Sequence, residues 1–181
     1  NPNFADAHSN LGNILRDQGK LEEAEVSSRK VIELNPNFAD ANLHLGNILR
    51  DQGKLEEAEI STRKAIKLNP NFTNANLNLG NILRDQGRFE EAAISIRKAI
   101  EPNPNFADAH SNLGNILRDQ GKLEEAEIST RKAIEINPEL ADAHSNLGGI
   151  LRDQGKLNEA EISTRKAIKL DPNHSNAHSN L

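Results

Sequence analysis

Cysteine, methionine, tryptophan and tyrosine are all absent from this 181-residue chain, and five Phe supply its only aromatic rings. Without cysteine there is no disulfide, no zinc–thiolate site and no thiol nucleophile, and no sign of the redox compartment. Five rings are few for the core of a compact globule of this length. A repeat array needs no such core, because each unit packs only on its neighbours. No stretch approaches the ~20 apolar residues of a membrane-spanning helix. Lys and Arg number 22 against 27 Asp and Glu, a net charge of −5, so the chain carries no basic footprint for nucleic acid or an anionic membrane. An initiator Met and a signal peptide are also missing. The chain opens on Asn1-Pro2 in mid-motif and stops at Leu181 in mid-motif, and it reads as a piece of a longer array.

What is present is one motif, copied. Leu11-Gly12-Asn13-Ile14-Leu15-Arg16-Asp17-Gln18-Gly19 returns at 45–53, 79–87 and 113–121, and at 147–155 with Gly149 in place of Asn. A fixed 34-residue period is the signature of a stacked repeat architecture. The units are 5–38, 39–72, 73–106, 107–140 and 141–174, with 1–4 as the tail of a preceding unit and 175–181 as the head of a sixth. Within the first unit, Ala7, Leu11, Ile14 and Leu15 follow the spacing of an amphipathic helix and predict one from about Ala5 to Gln18. Asn3, with Asp6 three residues on, is placed to cap it. Gly12 lies beside the apolar arc, where it admits a close neighbour, and Gly19 is placed to end the helix in a left-handed conformation. A second helix is expected from about Leu21 to Leu34, with Glu22 and Glu23 at the positive end of its dipole and Ala24, Ser28, Val31 and Ile32 as its inward stripe. Pro36 stops it. The copies drift at single positions (Val26, Phe89, Pro102, Gly149, Asn158), and Pro102 is expected to shorten the second helix of the third unit.

The pattern resembles the tetratricopeptide repeat over the whole chain. Leu11, Gly12, Ala24 and Pro36 match its signature, as do Leu45, Gly46, Ala58 and Pro70 and their counterparts in the later units. The resemblance implies an all-α fold, a right-handed α-solenoid of antiparallel helix pairs. The first helices would line a concave face that commonly binds a protein or peptide. This chain departs from the family where large aromatics are usual. It has His8, Asn42, Asn76, His110 and His144 on the first helix and Ser28, Thr62, Ile96, Thr130 and Thr164 on the second, which suggests His opposite Ser or Thr in a polar layer. The Ala-His-Ser-Asn-Leu-Gly wording is similar to the repeats that precede the catalytic domain of O-linked N-acetylglucosamine transferases. The basic residues of the family's carboxylate clamp are replaced by Ser9, Asn74 and Asn78, which argues against a chaperone-tail ligand.

Candidate binding residues lie on the polar side of the first helix. Asp6, Asn10, Asn13 and Asp17 form one stripe, and stacking turns it into rows. The central row is Asn10, His44, Asn78, Asn112, Asn146 and Asn180. A second row is Asn13, Asn47, Asn81 and Asn115, ending in Gly149. A flanking row is Arg16, Arg50, Arg84, Arg118 and Arg152, beside Asp17, Asp51, Asp85, Asp119 and Asp153, which pair with it or cancel its charge. An amide offers donors and an acceptor together, so a ladder of Asn can grip the backbone of an extended peptide. The same residues can instead bond their neighbours and hold the stack. On the second helix, Val26, Ile60, Ile94, Ile128 and Ile162 project away from the inward stripe. They are either single aliphatics covered by Arg and Glu stems or a packing surface for another chain.

Chemistry is scarce. His8, His110, His144 and His178 sit on separate helices, too far apart for ~2.1 Å bonds to one zinc ion. His174 and His178 share a helix face with no carboxylate in view, so no metal and no cofactor is expected. No nucleophile has a base and an orienting third group. The glycines are not spaced as a phosphate loop. Asn71-Phe72-Thr73 and Asn173-His174-Ser175 match the glycosylation sequon. The expected function is therefore non-catalytic binding of a protein or peptide. Two alternatives stand beside it: the substrate-recruiting segment of a larger glycosyltransferase, and a structural repeat that stacks end to end.

Overall fold

The computed structural model describes the backbone of residues 2–180 and the side chains of residues 8 and 10–180. Among them all regular structure is helical. The first helices of the repeats are α1 (Pro2–Asp17), α3 (Ala39–Asp51), α5 (Thr73–Asp85), α7 (Ala107–Asp119), α9 (Ala141–Asp153) and the short α11 (Ser175–Asn180). The second helices are α2 (Leu21–Leu34), α4 (Leu55–Leu68), α6 (Phe89–Ile100), α8 (Leu123–Ile136) and α10 (Leu157–Leu170). The chain divides into two compact units, Asn1–Arg88 with α1–α5 and Phe89–Leu181 with α6–α11. In each, consecutive helices pack as antiparallel pairs and the pairs stack.

The turn within a pair is short because Gly19, Gly53, Gly87, Gly121 and Gly155 adopt positive φ of 74–78°, which only glycine does without strain. Behind Gly19 the amide of Lys20 donates to the carbonyl of Leu15 at 2.8 Å, and Lys54 and Leu49 repeat the bond, closing the helix C-terminus. At the other end, Pro102 has the expected effect. The second helix of the third repeat stops at Ile100 and has 12 residues where its counterparts have 14. The helix starts differ from expectation. Helix α1 begins at Pro2, and the proposed Asn3–Asp6 cap lies outside the described side chains. At the later first helices the capping position is Phe38, Phe72, Phe106 or Leu140, with no side-chain capping bond. Phe38 and Phe72 are placed there to pack, Phe38 on Val31 and Ala41 and Phe72 on Ala65 and Ala75.

The core is distributed. Ile48 packs against Leu15 and Ala24 of the preceding repeat, and Ile82 against Leu45, Leu49 and Ala58. The second and third repeats thus each insert one isoleucine into the pair before it. On α1 the equivalent Ile14 is 53% exposed, whereas Ile48, Ile82, Ile116 and Ile150 are at most 1% exposed. Within a pair, the helices approach closely enough that a methyl on Gly46, Gly114 or Gly148 would run into the hydroxyl of Thr62, Thr130 or Thr164. The expected layer of His side chains opposite Ser28, Thr130 and Thr164 is not what forms; the serines one residue earlier bond the histidine backbone instead. Ser27, Ser129 and Ser163 donate to the carbonyls of His8, His110 and His144 at 2.9–3.0 Å. The rings of His110 and His144 lie 2.9 Å from the carbonyls of Pro104 and Pro138.

A charged clasp joins neighbouring repeats near the turns. Lys54 Nζ donates to Glu25 at 2.8 Å, Arg88 to Glu59 at 2.7 Å and Lys156 to Glu127 at 2.8 Å. Arg131 also reaches Glu127, at 2.9 Å. Lys156, against the opposing effect of burial and with help from Arg131 and Gln154, holds the Glu127 carboxyl at about 2, below its usual 4.5. Glu25 is held at about 2 in the same way, by Lys54 first.

Two expectations follow. Alanine at position 114 improves helix propensity by about 1 kcal/mol, yet Thr130 and the Ala126 carbonyl stand in the way of its methyl. Gly114→Ala therefore lowers the thermal midpoint, and the Gly114→Ala, Thr130→Ala pair recovers most of the loss; circular dichroism melting checks both. Because the folded pKa of Glu127 lies below the unfolded one, its contribution is complete above pH ~4.5 and is lost as pH falls from there toward 2. Glu127→Gln lowers the melting midpoint by about 2–4 °C at neutral pH, and the difference from the parent closes in acid.

Candidate functional site

The first helices α3 and α5 lie side by side in the Asn1–Arg88 unit and leave a groove of about 410 Å³ between them. Helix periodicity brings His44, Asn47 and Arg50 to one wall and Asn78 and Asn81 to the other. Five of the proposed binding residues therefore converge on one cleft. Asp40 and Asn74 stand at its polar edge, and Leu43, Phe72 and Leu77 give it an apolar end.

These side chains are not equally free. Asn78 is only 7% exposed, and its Nδ2 donates to Thr62 Oγ1 at 3.2 Å. It holds α5 to α4. Asn47 and Asn81 are half-buried, and among the described residues neither spends its amide on a protein partner. Arg50 donates to Asp85 at 2.6 Å, so its charge is largely neutralised. In the same way Arg16 pairs with Asp51 of the following repeat at 2.7 Å and Arg118 with Asp153. Burial lowers the pKa of His44 below 6.5, Asp40 opposes the shift, and Arg16 adds to it. His44 is thus neutral at pH 7, with one ring nitrogen a donor and the other an acceptor. The groove presents the amides of Asn47 and Asn81 and a neutral His44 beside an apolar end, with Asp40 at its edge.

In the Phe89–Leu181 unit the same rows are differently employed. Asn146 Nδ2 donates to Ser111 Oγ at 2.9 Å, and Asn180 Nδ2 donates to the Ser145 carbonyl at 3.1 Å. These amides bind neighbouring helices. At Gly149 the space of the missing side chain is taken by the Arg118 guanidinium, which a β-carbon there would meet at 2.7 Å. Asn112 and Asn115 are half-buried on α7, while Asn10 and Asn13 are exposed on α1. Arg84 is half-buried on α5.

Leu43, Leu77 and Phe72 line the groove but are absent from the rows read off the sequence. Their signal is one column of the repeat: Ser9, Leu43, Leu77, Ser111, Ser145 and Ser179. Two leucines stand on a polar face where the other copies have serine. Leu43 offers no hydroxyl to the Asn one repeat on, so Asn78 turns to Thr62, whereas Asn146 finds Ser111. A second correction concerns His174. Its Nε2 lies 2.9 Å from Asp142 Oδ1, and its Nδ1 accepts from the Ala177 amide at 3.2 Å. A carboxylate is therefore near, and His178 is engaged separately with the Pro172 carbonyl at 2.8 Å.

The row of aliphatics proposed for the outer face lies on the second helices. Val26, Ile60, Ile94, Ile128 and Ile162 are 54–71% exposed. No described helix is long and apolar enough to cross a membrane.

Comparison with solved structures finds the same architecture repeatedly. TTC0263, a thermophilic TPR protein in Thermus thermophilus, superposes with a TM-score of 0.84 at 20% identity, over 97% of this chain and 95% of that one. MamA gives 0.74 at 26% identity, over 90% and 95%. YrrB, a TPR protein with an unusual peptide-binding site, gives 0.68 at 27% identity, over 95% and 89%. Among curated proteins none matches. Family profiles for the tetratricopeptide repeat match residues 5–38 and 141–174, 29–60 and 77–141, and a TPR repeat profile matches 46–83. Together these profiles run without a break from residue 5 to residue 174, and the chain belongs to the tetratricopeptide repeat family.

Proposed function

We propose that this scaffold holds an extended peptide in the groove between α3 and α5. The peptide backbone is gripped by the amides of Asn47 and Asn81, and one apolar side chain rests on Leu43, Phe72 and Leu77. The observation that carries the reading is the cleft itself, which brings the unspent amides of Asn47 and Asn81 together with Leu43, Phe72 and Leu77. Three central-row asparagines are tied to neighbouring helices instead, Asn146 to Ser111, Asn180 to the Ser145 carbonyl and Asn78 to Thr62. The similarity to YrrB, named for a peptide-binding site, supports a peptide as the ligand class. A neutral His44 and a paired Arg50 favour peptides uncharged at the central position, since a buried charge without a partner is costly.

Selection from a random peptide library on the intact chain, followed by fluorescence anisotropy, tests the proposal. The selected peptides share an aliphatic or aromatic residue. Asn47→Ala, Asn81→Ala weakens them tenfold or more, the effect of losing hydrogen bonds of ~1 kcal/mol each, with an unchanged melting midpoint. Equal affinity in that variant would exclude the groove as the binding site.

A further inference from the structure

The second helices carry a feature that peptide binding in the groove leaves unused. In the Phe89–Leu181 unit, Ile94, Ile128 and Ile162 are 54%, 71% and 70% exposed. Beside each of the last two lies an apolar cleft between successive second helices. One, of about 370 Å³, is floored by Leu113 and Leu117 with Ile128 on its wall. The other, of about 340 Å³, is floored by Leu147 and Leu151 with Ile162 on its wall. Projection and recess therefore alternate along one face, each recess beginning where a projecting isoleucine ends. The charges around them are ordered. Ile128 is preceded at i−4 and i−3 by Glu124 and Glu125 and followed at i+3 and i+4 by Arg131 and Lys132. Ile94 has Glu90 and Glu91 before it and Arg97 and Lys98 after it. At Ile162 the order is Asn158 and Glu159, then Arg165 and Lys166.

We propose that this face is a docking surface for a second copy of the chain, with α8 lying antiparallel on the α8 of the other copy about a two-fold axis through Ile128. The order of the charges selects both the occupant and its direction. A reversed copy sets the acidic end of each helix (Glu90 and Glu91, Glu124 and Glu125, Glu159) on an Arg-Lys pair. A parallel copy sets like on like, which disfavours it. A two-fold contact uses one patch twice, so the patch must complement itself, and this one does in charge. Ile128 is the middle of three, and the same axis sets Ile94 on Ile94 and Ile162 on Ile162 of the other copy. The charge pairs within one chain on this face, Arg131 with Glu159 at 3.3 Å and Arg97 with Glu125 at 4.0 Å, are exposed and exchange partners at little cost.

Sedimentation velocity on the intact chain from about 10 µM to about 1 mM reads the association. The chain moves from monomer toward dimer, and Ile94→Glu, Ile128→Glu, Ile162→Glu raises the dissociation constant on the order of 100-fold without changing the circular dichroism spectrum. The absence of cysteine supplies a second measurement independent of those variants. Under mild oxidation Ile128→Cys, close to the axis, forms a disulfide-linked dimer about tenfold faster than Glu135→Cys, which lies two turns along the same helix and meets a distant residue in an antiparallel pair. A strict monomer over the whole range overturns the proposal, whatever other protein the face takes up. Equal cross-linking of the two cysteine variants overturns the antiparallel arrangement.

Discussion

The structure depends on an isoleucine that has no place to go in its own repeat. Two helices of 13 and 14 residues are marginal alone, and the arc they expose is too wide for one pair to cover. Ile48 leaves its own helix pair and completes the pocket of Leu15 and Ala24; Ile82 does the same for Leu45, Leu49 and Ala58. Stability therefore resides in the junctions between repeats. Glycine at positions 12, 46, 114 and 148 follows from this requirement. A pair held together mainly by alanine, threonine and serine must come close to gain dispersion contact, and only glycine leaves room.

Polar groups settle the details that apolar packing leaves open. The clasp around Glu25 and Glu127 and the Arg16–Asp51 type of pair both cross junctions. They act on opposite constraints: the clasp holds the turn ends, and the arginine pair holds the first helices side by side. The asparagines show how one residue type takes two employments. Its amide is used up where a hydroxyl stands within reach, Ser111 for Asn146 and Thr62 for Asn78, and among the described residues it is unspent at Asn47 and Asn81.

Much of this was legible from residues alone. Periodicity in Leu11, Ile14 and Leu15 reported the arc that is buried in the next repeat at Leu45, Ile48 and Leu49, Gly19 reported the left-handed turn, and Pro102 reported a shortened helix, because each effect is local to a few residues. The groove was legible only in part. His44, Asn47 and Asn81 could be aligned by counting along a helix. The fate of Asn146 depends on Ser111, 35 residues away, and that pairing is set by the offset between stacked helices, which no single helix encodes. The role of Phe38 escaped for the same reason. A cap is expected to be polar, but here the chain uses the position to fill the space between Val31 and Ala41. The carboxylate beside His174 comes from Asp142, 32 residues earlier, and was invisible to a search along one helix.

The arginine–aspartate pairs have one further implication. Arg16 to Asp51, Arg50 to Asp85 and Arg118 to Asp153 span the same 35 residues, and each side of the junction is written in nearly identical words. Such couplings are interchangeable. Removing 34 residues, or copying them, brings an unchanged arginine to an unchanged aspartate and an unchanged isoleucine to an unchanged pocket. A chain of this kind can lengthen or shorten by whole repeats during DNA recombination without passing through a badly joined intermediate. The few columns that differ, such as Leu43 and Leu77 against Ser111 and Ser145, are then the only record of order along the array.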